Sequence, residues 1–189
     1  MKQPGPHKQY WLRCVIALWA LLFSGLQQAN VPGEYDVKIV YLYNFTKFVS
    51  WPDSAFASQD APLNICILGE LPSPDVTNSL QDKKSRNRNI SVTLLPRQYN
   101  NEQCHILFIT KSVDYALSRK IVREITSPTL LVGETAGFAK NHGIIGFVLD
   151  DRHRVRIEVN LINARQQNIN IRAQLLEIAR KVYRDEEDT

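Results

Sequence analysis

The chain has 189 residues, of which 44% are hydrophobic and 22% charged, with a formal charge of +4. That balance excludes a disordered chain, a collagen-like fibre and a multi-span membrane protein, and the length suits one domain with its own core. A sequence pI near 9.0 raises nucleic acid as a partner, so where the charges sit is the first question.

Residues 1–13 carry Lys2, Lys8 and Arg13 and no acid, and Cys14 to Leu26 carries no charge at all. Gln27, Gln28 and the small Ala29 follow. A basic start, a short apolar run and a small residue predict a secretory signal peptide over 1–29 and an exported domain over 30–189. The run is too short to span a bilayer as a helix. Without residues 1–29 the net charge falls from +4 to +1, so the basic balance belongs largely to the targeting segment.

Cys14 would leave with that segment, and Cys66 and Cys104 remain. An even pair in an exported protein predicts one disulfide, the alternative being two buried thiols. Their spacing fits no compact metal or redox motif.

Glu34 to Ser50 predicts a helix with Val37, Val40, Tyr41, Phe45 and Phe48 on its buried stripe, ended by Trp51-Pro52. Leu63 to Gly69 predicts a buried strand. Ser73 to Leu80 predicts a short helix, with Ser73 as cap and Pro74 in the first turn. Lys83 to Asn89 reads as a polar loop. Strands are expected at Ile90–Leu95, His105–Thr110 and Thr129–Gly133, and a helix at Asp114–Ile125 with Leu117, Ile121 and Ile125 inward. A short helical turn is expected near Phe138.

Ile144–Leu149 and Arg154–Val159 read as a hairpin around Asp150-Asp151-Arg152-His153, with Val155, Ile157 and Val159 inward and Arg154, Arg156 and Glu158 outward. Arg172–Tyr183 predicts a last helix with Leu175, Leu176, Ala179, Val182 and Tyr183 as its stripe. Asp185–Thr189 reads as an acidic tail. The fold class is α/β, a single domain with a mixed sheet of about six strands flanked by helices.

Catalytic templates are missing from the sequence. There is no GxSxG, no Walker loop and no dinucleotide fingerprint. Gly133 to Gly137 lacks the Gly-Lys-Ser/Thr ending of a phosphate loop and reads as a turn. His105 in an apolar strand reads as structural, and Asp150-Asp151 as turn formers. An enzyme would have to join His105 or His153 to Asp150 or Asp151. The basic segments 83–88 and 152–156 lack the interleaved aromatics of a single-strand binder, so nucleic acid is not expected. No cofactor or metal site is expected.

The order of several stretches resembles the YfiR family of periplasmic proteins. They are Glu34-Tyr35 with Lys38, Tyr41 to Phe45 and Trp51-Pro52; Leu63 to Cys66 with Gly69; Cys104 to Ile109; Phe138 with His142 to Gly146; and Arg154 to Leu161 with Leu175, Leu176 and Ala179. The resemblance implies a non-enzymatic repressor that binds the periplasmic sensor domain of an inner-membrane diguanylate cyclase of the YfiN type and restrains cyclic di-GMP synthesis and biofilm. Better-studied members carry a second disulfide near 138–147, where this chain has no cysteine. The family often has a small cap before its last helix. Here Arg172 stands there, and Asn170 is the expected substitute.

On that resemblance the partner-binding surface is expected at Arg154, Arg156 and Glu158 on the wet face of the hairpin, with Asn160 following. Glu158 could instead pair with an arginine on the strand face, and Asn160 could cap the next turn. A second expectation is a small-molecule sensor, with a ligand between Gly133–Gly146 and the last helix. A second copy of the chain is a further expected partner.

Overall fold

A computed structural model describes residues 33–95, 98–100 and 102–184. The expected signal segment 1–29 and acidic tail 185–189 lie outside these residues.

Helix α1 (Glu34–Phe48) opens the described chain. Its buried positions are Lys38, Ile39, Leu42, Phe45 and Thr46, whereas Val40 is exposed. The stripe is therefore rotated from the expected one. The core-facing side is set by Phe45, which stacks on Phe147, and that ring meets Phe108 edge-on.

Strand β1 (Val49–Ser50) leads through a short 3₁₀ turn to β2 (Leu63–Leu68). The Pro74–Leu80 segment is a 3₁₀ helix capped as expected, with the Ser73 hydroxyl accepting from the Asp75 N–H. The Lys83–Asn89 segment is not all loop. Lys84–Ser85 forms β3, pairing antiparallel with the start of β4 (Arg88–Leu95) across a turn with Arg86 and Asn87 at positive φ.

Strand β5 (Ile106–Ile109) leads to α2 (Tyr115–Glu124), whose first N–H groups are capped by the Asp114 carboxylate. Ile121, Val122 and Ile125 face inward, and Leu117, expected there, is exposed. Strand β6 (Leu130–Gly133) precedes the one-turn α3 (Phe138–Asn141), and β7 (Ile145–Leu149) and β8 (Val155–Asn160) form the expected hairpin. Then come α4 (Leu161–Gln166), β9 (Asn170–Ile171) and α5 (Ala173–Glu177).

The long last helix does not form. Helix α5 stops at Glu177 and Lys181–Tyr183 is strand β10, parallel to β8 with Tyr183 opposite Asn160. Val and Tyr suit a pleated surface, and the ladder beside β8 outweighs the 3.6-residue pattern. Arg172 precedes α5 without a side-chain cap, and Asn170 is paired with Ser50 in a two-stranded ladder rather than capping.

The large sheet runs β10-β8-β7-β6-β5-β2-β4-β3, eight strands with a parallel centre and antiparallel partners toward both sides. Helix α1 covers the face that carries Phe108 and Phe147. Helix α3 covers the other, where Gly146 lets Ala139 approach. Phe138 lies between Gly133 and Gly143, and a Cβ at Gly143 would stand 1.9 Å from its ring. Gly133 and Gly143 leave the space that this ring fills.

Cys66 and Cys104 form a disulfide, joining β2 to the residue two before β5. The same end of the sheet is fixed by His105. Its Nδ1 accepts the Asn64 N–H at 3.0 Å, so its Nε2 carries the proton and donates to the Ala55 carbonyl at 3.1 Å. Trp51 donates its indole N–H to the His105 carbonyl, and Phe56 stacks on the imidazole with Arg88 on its far side.

Candidate functional site

The parallel strands end on the opposite side of the sheet, where crevices outside strand C-termini commonly hold ligands or partners. Three charged residues project there, each just beyond a strand. They are Lys111 after β5, Glu134 after β6 and Asp150 after β7.

Glu134 is nearly fully buried and has every oxygen engaged. One accepts from the Tyr35 hydroxyl and from the Lys111 N–H, each at 2.7 Å, and the other accepts from the Lys38 ammonium. Lys38 is equally buried. It also reaches Glu34 one helical turn back and lies 4.5 Å from the centre of the Tyr35 ring. The Lys38 hydrogen bond holds the Glu34 carboxyl below its ordinary range. Burial, helped by Glu134, pushes the Tyr35 phenol far above its own. Tyr35 therefore keeps its proton and remains a donor. The cluster pins the start of α1 to the end of β6.

Asp150 organises the hairpin tip. It accepts from the N–H groups of Arg152 and Arg154, and from the side chains of Arg154 (2.9 Å) and Arg156 (3.1 Å). The Arg154 guanidinium is the main reason its carboxyl sits far below the usual range. Both arginines keep much of their surface in solvent. Beside them Leu149 is 43% exposed and Ile178 53%.

Among the described residues Glu158 pairs with no arginine and accepts instead from the Tyr183 hydroxyl at 3.1 Å. Asn160 is 1% exposed, so it contributes no surface. It serves as the cap, accepting from the Asn163 N–H and donating to the Ala139 carbonyl. The expected surface of four residues is thus an exposed Arg154, a half-buried Arg156 and Glu158, and an interior Asn160.

Two depressions lie side by side here and share Arg180. One, of about 300 Å³, is lined by Asp150, Asp151, Arg156 and Ile178. The other, of about 420 Å³, runs over Lys38, Glu134, Phe147 and Leu149. Arg180, Lys38 and Glu134 carry no sequence signal of this role. A lysine four residues after a glutamate reads as a solvated helix pair.

The histidine–carboxylate constellation is not assembled. His105 lies at the N-terminal end of β5 and Asp150 beyond the C-terminal end of β7, at opposite ends of parallel strands. Burial and the charge of Arg88 depress the His105 pKa. His153 is exposed in the turn at φ 56°. Among the described residues no group of three or more His, Cys, Asp or Glu side chains is placed to hold a metal. No described helix is long and apolar enough to cross a membrane.

An eight-stranded mixed sheet under helices, with a disulfide at one end and a charged rim at the other, defines a single-domain α/β protein. The chain belongs to the YfiR/HmsC-like family, whose model matches residues 35–180. No curated protein matches it.

Proposed function

We propose that this chain is an exported, periplasmic regulator that binds the sensor domain of an inner-membrane diguanylate cyclase and holds the enzyme inactive. Family membership supports the class of activity. The observation that carries the reading is the rim itself. Leu149 and Ile178 stand exposed among Arg154, Arg156 and Arg180, and Asp150 holds the first two guanidinium groups in place. Apolar anchors rimmed by pre-ordered arginines are what a protein partner with acidic and apolar residues would engage.

The test is genetic and direct. Deleting the gene raises cyclic di-GMP, and the wild-type gene lowers it again. Arg156→Glu with Ile178→Asp fails to complement although the purified protein melts like wild type. Unchanged cyclic di-GMP in the deletion strain sinks the reading.

A second reading is favoured by the depression over Lys38 and Phe147. It is large enough for a small molecule, within the usual range for ligand pockets. A ligand seated there would touch Arg180 and so tune the same surface. A thermal-shift screen against small amphipathic molecules that finds no stabilisation counts against it.

A further inference from the structure

A third crevice, of about 300 Å³, lies between α2, α3 and α4. Its floor is apolar, formed by Val122 and the buried Leu131. Its walls carry Arg119, Arg123, Asn141, His142, Gln166 and Gln167, with no acidic side chain among the lining residues.

The charges are unusual for a surface helix. Arg119 and Arg123 stand one turn apart on the same face, a spacing at which like charges repel. Neither has a carboxylate partner among the described residues. Arg119 lies against the Tyr115 ring, and Arg123 donates only to the Arg119 carbonyl. The helix does place a carboxylate four residues from a cation, at Lys120–Glu124, but on another face.

His142 adds a second, independent signal. Both its ring nitrogens are buried and neither has a hydrogen-bond partner among the described residues. The ring is wedged edge-on against Tyr115 and Phe138, so it cannot easily turn away. Burial and the nearby Arg119 keep it neutral, with one N–H and one acceptor. Buried polar groups without partners are rare enough to need a reason. A negatively charged group in the crevice would answer the two unpaired arginines, and the His142 ring, packed beside them, would register its arrival.

We propose that the crevice between α2, α3 and α4 binds a small oxyanion, a phosphate or carboxylate group, held by the Arg119 and Arg123 guanidinium forks with His142 and the side-chain amides around it. Guanidinium forks match planar or tetrahedral oxyanions in paired hydrogen bonds. The volume is at the low end for ligand sites, which suits a small metabolite or the free anion. The site is separate from the rim and does not depend on the partner proposed above.

The experiment is a titration of the purified protein with inorganic phosphate and, separately, with citrate, at constant ionic strength set by chloride. The readouts are melting temperature and the NMR signals of the His142 ring. A saturable rise in melting temperature with either anion, accompanied by a shift of the His142 signals, is the expected result. Which anion saturates at lower concentration tells phosphate from carboxylate.

Arg119→Gln/Arg123→Gln abolishes the response, and Arg119→Lys/Arg123→Lys weakens it at least several-fold by keeping charge and losing the fork. No saturable response in the wild type overturns the proposal. So does an unchanged response in the glutamine variant, which would mean general salt stabilisation. Both arginines are exposed, so that variant should fold; if it does not, the His142 signals of the wild type alone decide.

Discussion

Lys38 and Glu134, ninety-six residues apart, meet as a buried ion pair that ties the second turn of α1 to the C-terminal end of β6. Both side chains are almost wholly withdrawn from water, and Lys38 is the only cationic side chain paired with Glu134 among the described residues. Breaking such a pair costs more than its formation contributes, because the survivor stays buried without compensation.

Lys38→Met is therefore expected to destabilise the protein by about 3–5 kcal/mol in urea unfolding. The double variant Lys38→Met/Glu134→Leu should recover most of that loss. A double variant no more stable than Lys38→Met would show that Glu134 acts through Tyr35 and Lys111 instead.

Cys66 and Cys104 close a loop with a sequence separation of 38. Replacing both by serine is expected to lower stability by about 4 kcal/mol in the chain-entropy picture, read from the denaturation midpoint. The midpoint of the oxidised wild type should fall to that of the variant when reductant is added.

His105 makes the protein sensitive to acid. Its folded pKa lies below the unfolded value of 6.5, because burial and Arg88 disfavour the imidazolium. The unfolded chain takes the proton first, so stability is full above about 6.5 and is lost progressively as the pH falls below it. His142, depressed in the same direction, adds to the slope. Melting temperatures between pH 8 and pH 5 should fall on the acid side, and His105→Gln should flatten the curve while lowering its plateau. A pH-independent melting temperature would contradict this account.

Gly143→Ala would drive a methyl group into the Phe138 ring. Overpacking of this kind costs about 1–3 kcal/mol. Adding Phe138→Leu to Gly143→Ala should cost less than the two single changes together, since the smaller side chain makes room. Strict additivity would mean that ring and glycine are not in conflict.

Much of the fold could be read from local pattern. The strands at Leu63, His105 and Thr129 are short apolar runs between turn residues, and Asp114 announces α2. What escaped was set by contacts distant in sequence. Val182 and Tyr183 fit a helical stripe with Leu175 and Leu176, yet the β8 ladder draws them into β10. Ser85 looks like loop until the turn at Arg86 and Asn87 folds it back on Arg88. The site was less legible than the fold. Arg154 and Arg156 could be placed on an outward strand face, but Asn160 alternates to the same side and is buried there by α3. Lys38 could not be paired with Glu134, because nothing near either residue marks the other.

The two ends of the parallel strands are held in different ways. At the N-terminal end, a covalent bond, a histidine with both nitrogens used and the Trp51 hydrogen bond fix β2 and β5 together. At the other end no covalent bond joins the described strands, and the Glu134 carboxylate gathers Tyr35, Lys38 and the Lys111 N–H by hydrogen bonds and charge. The molecule thus has a stiff foot and a tunable head. A tether or fluorophore at Ser58 or Gln59, in the exposed loop leading into β2, would grip the foot and leave the head free to report on whatever it meets.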